Sequence, residues 1–455
     1  MGERIIEPES EIVKAFNEFA IDLYMKTVEG RKGNLVISPI TLEIPLIVAS
    51  VGAGRGTQTQ WELMKALKLE KKFTIAVLAK ECKTTMQEIK KTKGVKVATR
   101  LYISEGLKQI PSFKHISRKM FDYTPKYIDF TNRRLVAQKI NHFALSNTQK
   151  KLGKIISKEE LSGNTKMVIA NAIYFRRPWD EEFDKRESFK SPFFVDDRHT
   201  IYVDYMCSRT IMKYASIKYL GVRLLELPFK NSDLVMTFIL PNNPNGLRDF
   251  EQKLSTINIM EAVKYLKPIT VTAEIPVFRI ESNVNMIEPL KKLGITRIFS
   301  PIAQFQEMFD EDHDVMLNNV VQKACIEINE EGDKISTSTA FISHHNRPTA
   351  SIIRWTTTQQ TDHFSCFHPF MFIVRCTRTN LIHFIGRVSF EKEDISYIPE
   401  KVYRTSAEKE VQTDNLEDEN EASTDEEKGV LNKNLSDGNA VSQIVKEDDD
   451  DDIEF

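Results

Sequence analysis

The chain has 455 residues, of which 41% are hydrophobic and 28% charged, the composition of a folded globular protein with enough apolar content for a large core. It contains no run of about eighteen apolar residues, so no transmembrane helix is predicted. The net charge of −2 conceals a split: residues 406–455 hold 18 acidic residues against four lysines, which leaves +12 on the first 405.

The charged start, MGERIIEPES, lacks the apolar stretch of a secretory signal, and Ile6 stands where a myristoylation site requires Ser or Thr. As written, the sequence predicts a chain that begins in the cytosol. Ser10 is placed to cap a helix over EIVKAFNEFAIDLYMKTV, whose Ile12, Phe16, Phe19 and Leu23 recur at helical spacing. NLVISPI reads as a short strand ending at Ser38-Pro39, followed by a second apolar helix. GAGRGTQTQ breaks that pattern and WELMKALKL resumes it. From about residue 160 the texture turns strand-like, with KMVIANAIYF, RLLELPF, LVMTFILP and ITVTAEIPVF separated by turn signals such as PNNPNG. Helical stretches are expected at 247–265 and 285–296. VMLNNVVQKACIEIN alternates like a strand, and FHPFMFIVRCTRTNLIHFIGRV reads as two buried strands about a turn at Arg378–Asn380. Between these two segments lies the polar stretch EEGDKISTSTAFISHHNRPTASIIRWTTTQQ, Glu330–Gln360. Structureless loops of that length inside compact domains are usually functional or disordered. The tail, 406–455, has almost no apolar periodicity and is expected to be disordered. Helices mostly precede strands, without regular βα alternation, which predicts one large α+β domain.

Enzyme chemistry finds little support. Gly52, Gly54 and Gly56 are spaced two apart, with Thr57 where a dinucleotide fingerprint needs its last glycine, and a helix-ending turn is the simpler expectation. No GxSxG, P-loop or HExxH occurs. His344, His345, His363 and His368 have no thiol or carboxylate at a ligand spacing, so they are expected as solvated loop histidines and no metal or other cofactor is predicted. The five cysteines, Cys82, Cys207, Cys325, Cys366 and Cys376, form no CxxC pair and read as small buried hydrophobes. Lysines cluster at 65, 68, 71, 72, 80, 83, 90, 91, 93 and 96. A helix carrying them would present positive potential to sulfated glycans and similar polyanions, or simply a solvated face balanced by Glu81 and Glu88.

Several long motifs in order resemble the serpin family, from about residue 11 to about 392. NLVISPITL resembles the family's N-F-SPLS segment, and GAGRGTQTQ its GARGNTAxQ turn with one departure in the middle. NAIYFRRPWDEEF matches NAIYFKGxWxxxF, which implies that Asn171, with Ser38, belongs to the buried shutter and Trp179 to the breach. LLELPFKNSDLVMTFILPN, IPVFRIESNVNMIEPLKKLGITRIF and HPFMFIVRCTRTNLIHFIGRV follow the remaining signatures, while Gln322 replaces a common shutter histidine. The resemblance implies that 330–363 is a reactive centre loop, bait that a serine protease attacks. The freed arm then enters the main sheet and carries the acylated protease with it.

In the family the hinge of that loop is small and uncharged wherever it enters the core. Glu330, Glu331 and Gly332 match the pattern. Strand alternation then turns Asp333, Ile335, Thr337 and Thr339 inward. Asp333 is the departure, because burying an unpaired carboxylate costs several kcal/mol. Two counts of the scissile bond differ by about eight residues, giving Asn346–Arg347 from the hinge and Arg354–Trp355 from the far end. The expectation is therefore an inhibitor of a serine protease, trypsin-like if an arginine is read, or else a carrier, chaperone or polyanion binder that has kept the fold and lost inhibition. Lys83, Lys90, Lys91, Lys93 and Lys96 are the polyanion-binding candidates. A monomer is expected, with neither nucleic acid nor membrane as partner. The resemblance favours the extracellular space, and the missing signal peptide favours the cytosol.

Overall fold

Ser10 accepts a hydrogen bond from the Val13 amide at 3.3 Å and opens α1 (Glu11–Val28), which buries Ile12, Phe16, Phe19 and Leu23 against the core. The computed structural model describes residues 10–70, 73–310, 314–332 and 362–391. After β1 (Leu35–Ile37), α2 (Pro39–Ala53) begins on a proline, whose missing amide is not needed there, and is buried along its whole length. Gly54 ends it at φ +89°, a conformation that favours glycine, so the glycines here stop a helix. The chain continues through α3 (Gln58–Ala66), α4 (Ile75–Lys91), β2 (Val95–Ser104), α5 (Pro111–His115), β3 (Lys126–Ile128) and α6 (Arg133–Asn147). Strands then dominate: β4 (Met167–Phe175), β5 (Phe189–Phe194), β6 (Thr200–Ile217), β7 (Val222–Pro228) and β8 (Leu234–Pro241). Two short helices, α7 (Leu247–Lys253) and α8 (Ile259–Val263), precede β9 (Lys267–Pro276) and β10 (Phe278–Asn285). Last come α9 (Ile287–Lys292), β11 (Leu317–Ile328), β12 (Asp362–Ser365), β13 (Phe370–Cys376) and β14 (Ile382–Val388).

The strands form two sheets. One has the order β1-β14-β13-β8-β7-β6-β9-β12, with β5 paired to β6, and the other the order β10-β11-β4-β2-β3. This is the α+β architecture expected from the sequence. In the five-stranded sheet, alternate residues of β4 and β11 serve two cores. Ile169, Ile173, Val320, Ala324 and Ile326 join the main core, while Val168, Ala170, Ala172 and Val321 pack with Val136, Ile140 and Ala144 of α6. Burial on both faces explains why β4 reads as a continuous apolar run rather than an alternation.

Two expectations are corrected. The lysines do not share one helix: Lys65 is on α3, Lys80, Lys83, Lys90 and Lys91 on α4, and Lys96 on β2. Lys71 and Lys72 lie outside the described residues. His363 is exposed as expected, but His368 is only 8% exposed, because it sits just before the wholly buried β13. His344 and His345 lie outside the described residues. Of the cysteines, four are buried and Cys207 is half-buried.

Candidate functional site

The central feature of the five-stranded sheet is a parallel seam. β11 pairs with β4 from Leu317↔Met167 to Ile326↔Phe175, and every other ladder in this sheet except the short β2–β3 edge is antiparallel. A bulge at Asn318 opens the lower end, where its Oδ1 accepts from the Lys166 and Met167 amides at 2.7 and 3.3 Å.

Midway along the seam three buried polar side chains meet. Gln322 lies opposite Asn171 and donates to Asn171 Oδ1 at 2.9 Å and to the Ser38 carbonyl at 2.8 Å. Its own Oε1 accepts from the Ser38 amide at 3.0 Å. Ser38 Oγ donates to the His383 carbonyl at 2.7 Å, and Asn171 donates to Thr41 O at 3.2 Å and to Thr99 Oγ1. The glutamine thus ties both seam strands to the start of α2 with no polar atom of its amide left over. Such a network is stabilising because every member is satisfied.

At the upper end the chain leaves β11 through Asn329, Glu330, Glu331 and Gly332, and each residue is held. Trp179, 1% exposed and stacked on Phe229 at 4.6 Å, donates from Nε1 to the Asn329 carbonyl at 3.0 Å. Ser188 donates to Glu330 at 2.6 Å, and Lys185 pairs with Glu331 at 2.9 Å. The Gly332 amide donates to Asn329 Oδ1 at 2.7 Å. Gly332 has φ +61°, and a Cβ there would come within 2.1 Å of the Pro178 nitrogen, so the position requires glycine. Arg176 reaches across from the end of β4 to Glu327 at 3.3 Å and to the Gly332 carbonyl at 2.6 Å. Glu327 also accepts from Arg279 at 2.9 Å, and Arg279 and Lys323 both pair with Glu281, at 2.6 and 2.7 Å. Burial works against the charge of Glu281, but the bonds from Lys323 and Arg279 outweigh it and hold the carboxyl below its usual range.

The chain is described again at β12, which pairs in parallel with β9 at Asp362↔Val271 to Ser365↔Glu274 in the other sheet. Asp333, Ile335, Thr337, Thr339, Asn346, Arg347, Arg354 and Trp355 lie between these anchors and outside the described residues. The structure therefore brings together Ser38 with Asn171, and Trp179 with the start of the hinge. Sequence reasoning missed Arg176, Lys185 and Ser188, whose partners are more than 140 positions away. Among the described residues no group of three or more His, Cys, Asp or Glu side chains is placed to hold a metal ion.

Away from the seam, Lys80, Lys83, Lys90 and Lys91 recur at helical spacing on α4 and fall on one stripe, with Lys93 and Lys96 following it in the chain. Lys80, Lys90, Lys91 and Lys93 are exposed, and Lys83 and Lys96 are half-buried.

Comparison with known proteins agrees with this architecture. The family model described as serpin (serine protease inhibitor) matches residues 14–390. Human serpin B3 is 26% identical over 395 residues, covering 83% of this chain and 98% of that protein. The leukocyte elastase inhibitor of Sus scrofa is 28% identical over 386 residues, covering 82% and 98%. Among solved structures, Serpin48 of the insect Tenebrio molitor, described as highly specific, superposes with a TM-score of 0.72 at 24% identity, covering 86% of this chain and all of that one.

Proposed function

This chain belongs to the serpin family, and from that premise we propose that it inhibits a serine endopeptidase by letting it cut the segment between Gly332 and Asp362. Serpins are protease inhibitors rather than enzymes, and the seam supports that use here. The carrying observation is that β4 and β11 pair directly, while the segment that would separate them issues from the top of β11. In the proposed sequence the protease serine attacks a carbonyl at Asn346–Arg347 or Arg354–Trp355. The peptide bond breaks, an ester to the protease forms, and the new amine leaves with the C-terminal part of the loop. The arm from Gly332 then enters the seam before water can hydrolyse the ester, and the protease stays bound to a molecule that cannot be used again.

The test is a gel with trypsin. An SDS-stable complex of the two chains supports inhibition, and cleavage without a complex overturns it. Asp333 favours a second reading, a serpin fold that binds without trapping, because the first residue to enter would carry a charge into the core. The stripe on α4 supports a sulfated polyanion as the further partner. Lys90→Glu with Lys91→Glu is expected to abolish retention on immobilised heparin at physiological salt, and unchanged retention would remove that partner.

A further inference from the structure

We propose that Arg176 is the positioning residue that sets how fast the seam admits a strand; the inference rests on insertion as the proposed mode of action. Arg176 follows directly on β4, and its amide donates to the Gly94 carbonyl at 2.9 Å, so its backbone stays with the β4 and β2 side. Its guanidinium crosses to the other side. One nitrogen meets Glu327 of β11 at 3.3 Å, and Nε donates to the Gly332 carbonyl at 2.6 Å.

A strand cannot start between β4 and β11 until both bonds are broken. The planar fork suits two acceptors held at fixed positions, and a charged donor on a carbonyl is stronger than a neutral one. The Glu327 pair alone is partly exposed and weak, since both side chains keep about a fifth of their surface in water. Gly332 supplies the other half: its φ of +61° and the Pro178 backbone against it fix the carbonyl that the arginine holds. Lys185 and Ser188 hold carboxylates that can swing away, whereas Arg176 holds the backbone from which the inserting strand would grow.

The experiment uses the full chain and an acetylated synthetic peptide of residues 333–346 carrying Asp333→Thr. Uptake is followed by the rise in melting temperature that a filled seam gives. Arg176→Gln is expected to speed uptake about tenfold, equivalent to about 1.4 kcal/mol. Arg176→Lys, which keeps the charge and loses the fork, should fall between the two, and it stands in if the glutamine variant does not fold. A lower melting temperature with unchanged uptake would mean that Arg176 is merely structural and would overturn the inference. Because uptake needs no protease, a wild-type chain that takes the peptide yet is cut by trypsin without forming a complex overturns inhibition and leaves the clamp standing. If neither wild type nor variant takes up the peptide, the seam does not open and the clamp falls too.

Discussion

Glu43 lies inside α2 with no exposed surface, and neither carboxyl oxygen has a hydrogen-bond partner among the described residues. Burial therefore holds its pKa well above the usual carboxylate value, and its titratable neighbour is the buried Cys82 of α4. In the unfolded chain the group ionises near 4.5, while in the folded chain it keeps its proton to higher pH. Stability is then full below about 4.5 and falls as pH rises from there toward the folded value. Glu43→Met should be more stable than wild type at neutral pH and lose that advantage near pH 4, as measured by urea unfolding across the range. His383 works in the opposite sense. Burial lowers its pKa from 6.5 to about 4, so the unfolded chain takes up a proton first as pH falls. The loss of stability between those values should approach about 3 kcal/mol, and His383→Phe should remove that slope. If the pH profile of His383→Phe overlays wild type, the ring is not buried neutral. Neither group is legible in the sequence, because a glutamate amid apolar residues looks the same whether it faces water or core.

The elements that carry long apolar runs were readable. FHPFMFIVRCTRTNLIHFIGRV gives β13 and β14 with every strand residue buried, and Asn380 takes the left-handed turn between them at φ +63°. β6, the longest strand among the described residues, is not legible in the sequence, because its eighteen residues mix exposed and buried positions with Cys, Ser and Arg and show no long apolar run. The shutter and breach residues were named through the resemblance, while their partners depend on register between distant strands, which no local pattern encodes. At this scale the hinge gives the sharpest expectation. If the inserting arm buries Asp333, then Asp333→Thr should lower the number of inhibitor molecules consumed per protease trapped. Removing a penalty of a few kcal/mol shifts the race with hydrolysis by tenfold or more. The encounter rate should stay as it was, because Asp333 is far along the chain from either scissile candidate. An unchanged stoichiometry would mean that the carboxylate is not buried in that step.

For the whole molecule, deletion of residues 406–455 is expected to leave the melting temperature within about a degree of wild type, since a segment so acidic and aperiodic lacks the apolar surface that packing requires. A loss of several degrees in a thermal scan would give the tail a structural role. In the folded part, the drive for the proposed insertion would have a different origin, in strand polarity. β4 and β11 point the same way, and nine residue pairs hold them in a parallel ladder. A chain that turns back after Gly332 and runs down between them must oppose both. One parallel ladder would be exchanged for two antiparallel ones, whose bonds lie perpendicular to the strands and are slightly more stable per residue. Withdrawal would then break two ladders to restore one weaker one. In the proposed insertion the direction of travel would thus be set by the polarity of two neighbouring strands, before any side chain in the loop is considered.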